Sequence, residues 1–571
     1  MESVKIGWKH TNWPKEVWRL MVRNTRIFFL FAAGIILYSC SDTDYELELI
    51  EIHGTLKQWE PLTLTFHQPG KQLESNQLSS SGNYLYGIFR RIDKETIVPG
   101  YFAGVHAIDP DMNYNNTWKI NFTPDNYGIW TYQVILIEDL PASEEDLEKQ
   151  IKNQDSRVYS DDFKIIPREG NHDSFRSPGF IQYSNDGFLI QNENEERYIL
   201  NCISVNGDLL NQYVNFTEHY YNKSFPTDTL VDQSEISDDI KNPGLNGVKL
   251  SISDILSDLT SFDRSQADLD SINEIQRNLE KVYRHGFVTV FEIMDLTSEK
   301  DDVQSLDNKT LAYLREMIAR FSHNTGLIWS IKTSGNLDTK KGLIKDITKL
   351  IRDMDPYDHT ILITCGPDDV SLETFIGYPF IDGIIMDNSN QFPADKLFMI
   401  KNLSTQKGRK WILLENVQTS IQYTNVRDII WSRTLSGNSG LIWTPESDLD
   451  NYMEFEAFNS NISFIKMVNS INSSYKIPYD AKMIRESQNT TEHFGMRFSD
   501  DFIIIYLSND MSYHLDSLSP GSYSITWKNL STDSIHDQLE TSFSNSVNNL
   551  VLSSPDMDVP AHWLTIIQKN H

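Results

Sequence analysis

Positive charge is scarce in this sequence. Against 80 Asp and Glu there are only 50 Lys and Arg in 571 residues, a formal net charge of −30. Nucleic acids and anionic lipid headgroups are held chiefly through cations, so neither is expected as the main partner. Cysteine is nearly absent, at three in the whole chain, which excludes a disulfide framework. Cys202 and Cys365 read as buried free thiols. Motifs are lacking too: no Walker A pattern, no GxGxxG after a strand, no CxxC, HExxH or GxSxG. The 14 histidines are scattered. No cofactor and no metal is called for. Nor does the N-terminal region hold an apolar run of spanning length. Ile27 to Tyr38 is uncharged for 12 residues, whereas a membrane-crossing helix needs about 20.

What is present at the N-terminus is a signal. Met21 to Arg26 is short and basic, Ile27 to Tyr38 has the length of a signal-peptide apolar region, and Leu37-Tyr38-Ser39-Cys40 closes it. That end resembles a bacterial lipobox, which implies lipid on Cys40. Trp8, Trp13, Pro14 and Trp18 make a poor leader, so translation is expected to start at Met21. Residues 1–39 are then removed and 40–45 form a lipidated linker. Ser41 to Glu46 is acidic and resembles the export signal of Bacteroidetes surface lipoproteins. The expected location is the outer membrane or cell surface, with the lipid as the membrane contact.

The mature chain is too long for one ordinary domain. Residues 46–167 read as an immunoglobulin-like β-sandwich. Leu62–Phe66, Tyr84–Phe89, Trp118–Phe122 and Trp130–Val134 are rich in β-formers and separated by turn signals. Ser143 to Lys152 is acidic with helical spacing, an exposed insertion between strands, and Arg168 to Gly179 is a linker. From 180 to 475 short apolar runs alternate with amphipathic helical stretches. Candidate strands are Tyr198–Ile203, Gly247–Ile252, Phe287–Ile293, Gly326–Ile331, Thr360–Thr364, Gly383–Met386, Trp411–Leu414 and Gly440–Trp443. Helices fall at Asp268–His285, Asn308–Phe321 and Leu343–Met354. Eight strands in such a length fit a (β/α)₈ TIM barrel. Residues 480–571 return to β, at Phe502–Leu507, Tyr523–Trp527, Leu550–Leu552 and Trp563–Ile567, as a small C-terminal sandwich.

Barrel active sites lie at the C-terminal ends of the strands. Carboxylates stand there: Glu292 and Asp295 after the third strand, Asp387 after the sixth, Glu415 after the seventh, Glu446 after the eighth. Cleavage of a glycosidic bond usually needs two such groups, one donating a proton and one attacking or activating water. Trp443 suits either a sugar-ring floor or core packing. Arg320 and His323, on the helix entering the fourth strand, read as structural.

Several segments then resemble one family. They are Val98-Pro99-Gly100-Tyr101-Phe102, Phe122-Thr123-Pro124-Asp125, Gly128-Ile129-Trp130-Thr131-Tyr132, Leu314 to Phe321, Leu327-Ile328-Trp329, Asp355-Pro356-Tyr357-Asp358-His359, Tyr523 to Trp527 and Trp563. Together they resemble Bacteroidetes-type glycoside-hydrolase-like proteins in which a β-sandwich of unknown function precedes a TIM barrel and a collagen-binding-like β-sandwich. The resemblance spans most of residues 46–571. It implies Glu415 as nucleophile and a polysaccharide or oligosaccharide as partner. In the family the fourth strand runs into an Asn-containing segment ending in the proton-donor Glu. Here the corresponding stretch is Trp329-Ser330-Ile331-Lys332-Thr333-Ser334-Gly335-Asn336, with no carboxylate. The acidic pattern after the first strand is altered to Ser204-Val205-Asn206-Gly207-Asp208.

Three functions are therefore open. A surface lipoprotein of polysaccharide utilisation would engage glycan through an impaired barrel, with Trp443, Asn336, Asn206 and Asn416 as contacts. An active hydrolase would use Glu415 with a relocated acid among Glu292, Asp295 and Asp387. A non-enzymatic structural or protein-binding lipoprotein would do neither. Whichever holds, mass spectrometry of membrane-extracted protein should give a diacylated N-terminal peptide starting at Cys40. An intact peptide spanning Phe31 to Glu46 as the main species would refute the processing.

Overall fold

The computed structural model describes residues 47–68, 84–92, 94–104, 117–137, 147, 149–151, 158–168, 179–184, 189–191, 197–198, 200–205, 246–251, 266–284, 286–297, 306–333, 337–366, 370–387, 394–408, 411–418, 440–444, 482–484, 494–499, 502–508, 512–529, 534–553 and 562–570. Its centre is a closed barrel of eight parallel strands: β1 (Leu200–Val205), β2 (Gly247–Ser251), β3 (Val288–Asp295), β4 (Leu327–Lys332), β5 (Thr360–Cys365), β6 (Gly383–Met386), β7 (Ile412–Gln418) and β8 (Gly440–Thr444). Register closes the ring, since β1 pairs with both β2 and β8. Helices α1 (Gln266–Arg284), α2 (Asn308–Phe321), α3 (Leu337–Met354) and α4 (Ala394–Gln406) pack outside. No helix among the described residues is long and apolar enough to cross a membrane.

Period-two alternation sorts each strand into two rows. The lumen row holds Leu200, Cys202, Val288, Val290, Ile328, Leu362, Ile385, Ile412, Leu414 and Ile442 in one cluster. The helix-side row, including Val248, Leu250, Phe291, Ile293, Trp329, Ile331, Ile363, Met386, Leu413, Leu441 and Trp443, joins the large outer cluster. Gly383 and Gly440 sit where strands crowd. A Cβ on either would lie 2.1 Å from the carbonyl oxygen of Ile412 or Leu200, so only glycine fits. A small sheet of Ile181–Tyr183, Leu189–Gln191 and Arg197–Tyr198 puts Ile181 and Leu189 into the lumen cluster, closing the end opposite the strand C-termini. This plug was not foreseen; its short strands carry no long β pattern. Cys202 and Cys365 are free and buried, as expected, and burial pushes the Cys202 thiol well up.

The N-terminal sandwich stacks the sheet Glu48–Gly54, Leu62–His67, Thr117–Phe122, Tyr101–Gly104 on the sheet Lys94–Pro99, Tyr84–Arg91, Gly128–Ile137, Val158–Ile165. Phe89 and Phe122 stack between them at 3.9 Å, and Trp118, Trp130 and Tyr132 are buried as their β patterns implied. Leu147 and Ile151, from the anticipated helical insertion, pack on the second sheet. At the C-terminus a six-stranded sheet carries a two-stranded one, Ser512–Leu518 with Val547–Ser553. Its strand Phe502–Ser508 is apolar throughout because both faces are covered. Ile503, Ile505 and Leu507 fill the sandwich, while Phe502, Ile504 and Tyr506 join the barrel's outer cluster.

The N-terminal sandwich and the barrel meet on α2. Asp307 caps this helix by accepting from Thr310 N at 2.7 Å, and every residue from Tyr313 to Phe321 is buried, charged ones included. Arg315 reaches across with Nε on the Tyr86 hydroxyl at 3.1 Å, Nη1 on the Gly100 carbonyl at 3.1 Å and Nη2 on the Leu85 carbonyl at 2.6 Å. Its guanidinium lies over the Tyr84 and Tyr86 rings. Arg320 donates to Glu316 at 2.8 Å, Asn273 at 2.8 Å and the Phe102 carbonyl at 2.9 Å, over the Tyr101 ring. Beside them Thr123 N donates to the Tyr357 hydroxyl at 2.9 Å, and Thr123 Oγ1 donates to the His323 carbonyl. Asp355 accepts from Trp329 Nε1 and pairs with His359, each at 2.8 Å. Burial alone would push the Asp355 carboxyl up; His359, Trp329 and the Tyr357 N–H more than offset this and hold it below the usual carboxylate range.

A planar five-donor cation serving three separated acceptors cannot be replaced by a point charge. Arg315→Ala should cost about 3 kcal/mol or more, because buried carbonyls lose charged donors. Arg315→Lys should recover only part. Thermal denaturation should show the sandwich transition separating from that of the barrel. An unchanged melting curve for Arg315→Ala would show that the joint contributes nothing.

Candidate functional site

The polar side chains that stand on the lumen row cluster at the C-terminal ends of the strands. On β2, Lys249 and Ser251 bracket Leu250 and face Glu292 of β3. Ser251 Oγ donates to Glu292 Oε1 at 2.7 Å, and Lys249 Nζ lies 3.1 Å from Oε2. Glu292 is fully buried and both its oxygens are engaged. After an irregularity between Glu292 and Met294, the strand ends on Asp295, paired across to Lys332 at the end of β4. Lys332 Nζ lies 3.4 Å from Asp295 Oδ2, while Oδ1 accepts from Thr297 N at 2.8 Å.

Lys332 thus occupies the end of β4, and its charge is well supported. Burial works to lower its pKa, but Glu292, Asp295 and Asp387 together leave it raised. The raised value makes its ammonium a weaker acid than that of a free lysine. Thr333, next in sequence, donates to the Thr364 carbonyl at 2.9 Å. Ser330 Oγ and Thr364 Oγ1, on the lumen row of β4 and β5, are buried with no hydrogen-bond partner among the described residues.

Across the mouth Asp387 follows β6 and is half-buried. Its Oδ1 accepts from Asn416 Nδ2 at 2.8 Å, and Asn416 Oδ1 in turn accepts from the Thr444 hydroxyl. Asp387, Asn416 and Thr444 therefore form one chain over the ends of β6, β7 and β8. The neighbour of Asn416 is Glu415, whose backbone register pairs it with Met386 and Leu441. Both partners lie in the helix-side cluster, whereas Leu414 belongs to the lumen cluster. The register position of Glu415 is thus in the helix-side row. The Glu415 side chain is outside the described residues.

The anticipated contacts divide in the same way. Glu292, Asp295, Asp387 and Asn416 come together at the mouth. Trp443 does not join them: it is buried in the outer cluster and paired in register with Ile203 and Val417, so core packing is its observed role. Asn206, Asn336 and Glu446 lie outside the described residues. Lys249 and Ser251 were not anticipated as site residues. A lysine amid apolar residues in Val248-Lys249-Leu250 was the available signal, since a buried cation needs a partner nearby. Among the described residues no cluster of three or more His, Cys, Asp or Glu side chains gathers as a metal would require.

With this geometry in hand, comparison with known proteins places the fold. Residues 55–136 match the model of a domain of unknown function, DUF5060. No curated protein matches the chain. A solved structure from Bacteroides vulgatus ATCC 8482, described as a candidate glycoside hydrolase, superposes with a TM-score of 0.60 at 13% identity, over 90% of this chain and 99% of that one. A second, described as a glycoside hydrolase, gives 0.51 at 12% identity, over 69% and 98%. A third, a glycoside hydrolase family 5 structure from the same Bacteroides strain, gives 0.50 at 12% identity, over 70% and 96%. The chain therefore has a glycoside-hydrolase-like fold, a barrel flanked by β-sandwiches.

The Lys249–Glu292 pair yields a direct test. Removing one partner leaves a buried charge uncompensated, at a cost of about 3–5 kcal/mol, whereas replacing both by apolar residues is often nearly neutral. Lys249→Met should therefore destabilise strongly, and Lys249→Met with Glu292→Leu should recover most of the loss in chemical denaturation. Additive losses in the double variant would show that the two side chains do not act as a pair.

Proposed function

We propose that this protein is a lipid-anchored, surface-exposed glycan-binding protein of polysaccharide utilisation, whose glycoside-hydrolase-like barrel engages its ligand with little or no turnover. The observation that carries this reading is the end of β4, where Lys332 is held by Asp295 and the stretch Trp329 to Asn336, which corresponds to the resembling family's proton-donor segment, holds no carboxylate. A sugar leaving group that is not protonated must depart as an alkoxide. General acid assistance typically contributes 10²–10⁴-fold, or roughly 3–5 kcal/mol of barrier. A lysine whose charge is favoured by three carboxylates is a poor substitute.

Nor do the neighbouring carboxylates offer an obvious replacement. Glu292 is committed to Lys249 and Ser251, and Asp295 to Lys332 and the Thr297 amide. What remains suits binding: the Thr444 hydroxyl and the Asn416 amide offer hydrogen bonds to sugar hydroxyls at the mouth.

A second reading keeps hydrolysis. It is favoured by Asp387, a half-buried carboxylate with one oxygen on Asn416. In that reading Asp387 is the relocated acid and Glu415 the nucleophile. Assay of the purified chain on plant, marine and host polysaccharides, beside Glu415→Gln, separates the two. Binding that persists equally in both proteins with no released sugar is the expected result. Efficient sugar release abolished by Glu415→Gln would overturn the impaired-barrel reading, and Asp387→Asn would then identify the acid.

A further inference from the structure

At the end of the barrel opposite the mouth, a second cleft opens where the N-terminal sandwich meets the segments leading into β1 and β5. Its volume is about 150 Å³. Drug-sized ligands usually need roughly 300–1,000 Å³, so this space suits one small ring. One wall is aromatic: Phe180 and Tyr357 stack on each other at 4.8 Å and both line it. The rim is polar, with Lys94, Asp125, Asp358 and Gln182.

The rim charges are already matched. Lys94 pairs with Asp125, and Asp358 lies 3.3 Å from Arg352. An anion or a cation entering here would have to break one of these pairs, whereas a neutral polyhydroxylated ligand adds hydrogen bonds to both without doing so. Gln182 is available in the same sense. Its Nε2 sits 3.5 Å from the Tyr357 carbonyl, a long contact that a better acceptor displaces at little cost. Two residues past Asp125, on the same turn, Tyr127 is 53% exposed while its carbonyl is held by Arg91 Nε at 2.9 Å. A large aromatic displayed on a pinned turn offers a flat, electron-rich face to the C–H side of a sugar ring.

We propose that this cleft is a glycan-docking subsite, distinct from the barrel mouth, that takes a single neutral pyranose residue of a polysaccharide. Phe180 and Tyr357 form the apolar wall, and Gln182, Lys94 and Asp125 bind the ring hydroxyls. Tyr127 presents a stacking face to the adjoining sugar. The subsite does not depend on catalysis, or on any ligand, at the mouth.

Saturation-transfer NMR on the purified full chain tests this with four probes: methyl β-glucopyranoside, methyl β-galactopyranoside, methyl α-mannopyranoside and methyl β-xylopyranoside. Gln182→Ala and the cleft-filling Thr96→Trp are run beside Asp387→Ala at the mouth, each checked for native melting. At least one probe should receive saturation from the wild type. Its signal should fall fivefold or more in Gln182→Ala and Thr96→Trp and persist in Asp387→Ala. Where Thr96→Trp does not fold, Gln182→Ala decides. No transfer to any of the four probes overturns the subsite, as does transfer indifferent to the cleft variants. Transfer lost only in Asp387→Ala assigns the sugar to the mouth and likewise overturns it.

Discussion

Two buried arginines on one helix hold the N-terminal sandwich to the barrel. Burying a guanidinium is costly unless its donors are matched, and the sandwich matches them with backbone carbonyls of Leu85, Gly100 and Phe102 and with tyrosine rings. Gly100 lies between the strands Lys94–Pro99 and Tyr101–Gly104, and the Leu85 carbonyl accepts from the Gly100 amide as well as from Arg315. The constraint runs both ways. The sandwich supplies the acceptors that let α2 be buried on all sides, and α2 fixes where β4 begins. Phe291, Phe321 and Trp329 then pack against one another, with Trp329 anchored to Asp355. The end of β4, and so the position of Lys332, is set from the joint.

The elements of this architecture were legible in the sequence because each strand is a contiguous apolar or alternating run. All eight barrel strands fall where the pattern put them, displaced by no more than a few residues. The first is displaced by two residues, Leu200–Val205 against an expected Tyr198–Ile203, because Tyr198 belongs to the small plug sheet instead, and the seventh runs to Gln418, four residues past the expected Leu414, so that Glu415 lies within it. Helix α3 begins at Leu337, six residues before the expected Leu343, because its first turn is polar and shows no apolar face. The two faces of the C-terminal strand Phe502–Ser508 explain its unbroken apolar run, which periodicity alone does not assign to one partner or the other.

The site was less legible, for a reason of geometry. Sequence places a residue at the end of a strand but does not say which way it points, and a shift of one residue exchanges the faces. Asn416 and Glu415 are adjacent, and the lumen hydrogen bonds belong to Asn416. Trp443 has the same ambiguity and resolves to the helix side. Charge pairing was equally hidden. Lys249 and Glu292 are 43 residues apart in sequence and meet only because β2 and β3 pair in parallel with Ser251 opposite Glu292.

Several of the segments that carry the family resemblance build the joint. Val98 to Phe102 provides acceptors for both arginines, Leu314 to Phe321 carries them, Thr123 and Tyr357 bridge them, and Asp355 with His359 supports Trp329. None of these residues lies at the barrel mouth. The packing requirements of this architecture and the composition of its mouth are therefore separable, since the two sets of residues share no side chain. Fold and chemistry are under separate physical constraints here. The salt bridge between Lys332 and Asp295 adds a further step to that argument. Lys332→Glu would place a carboxylate beside Asp295 and near Glu292 and Asp387, where like-charge repulsion raises its pKa. That is the condition a proton donor needs, so the mouth offers the electrostatic setting for an acid at the position that Lys332 occupies.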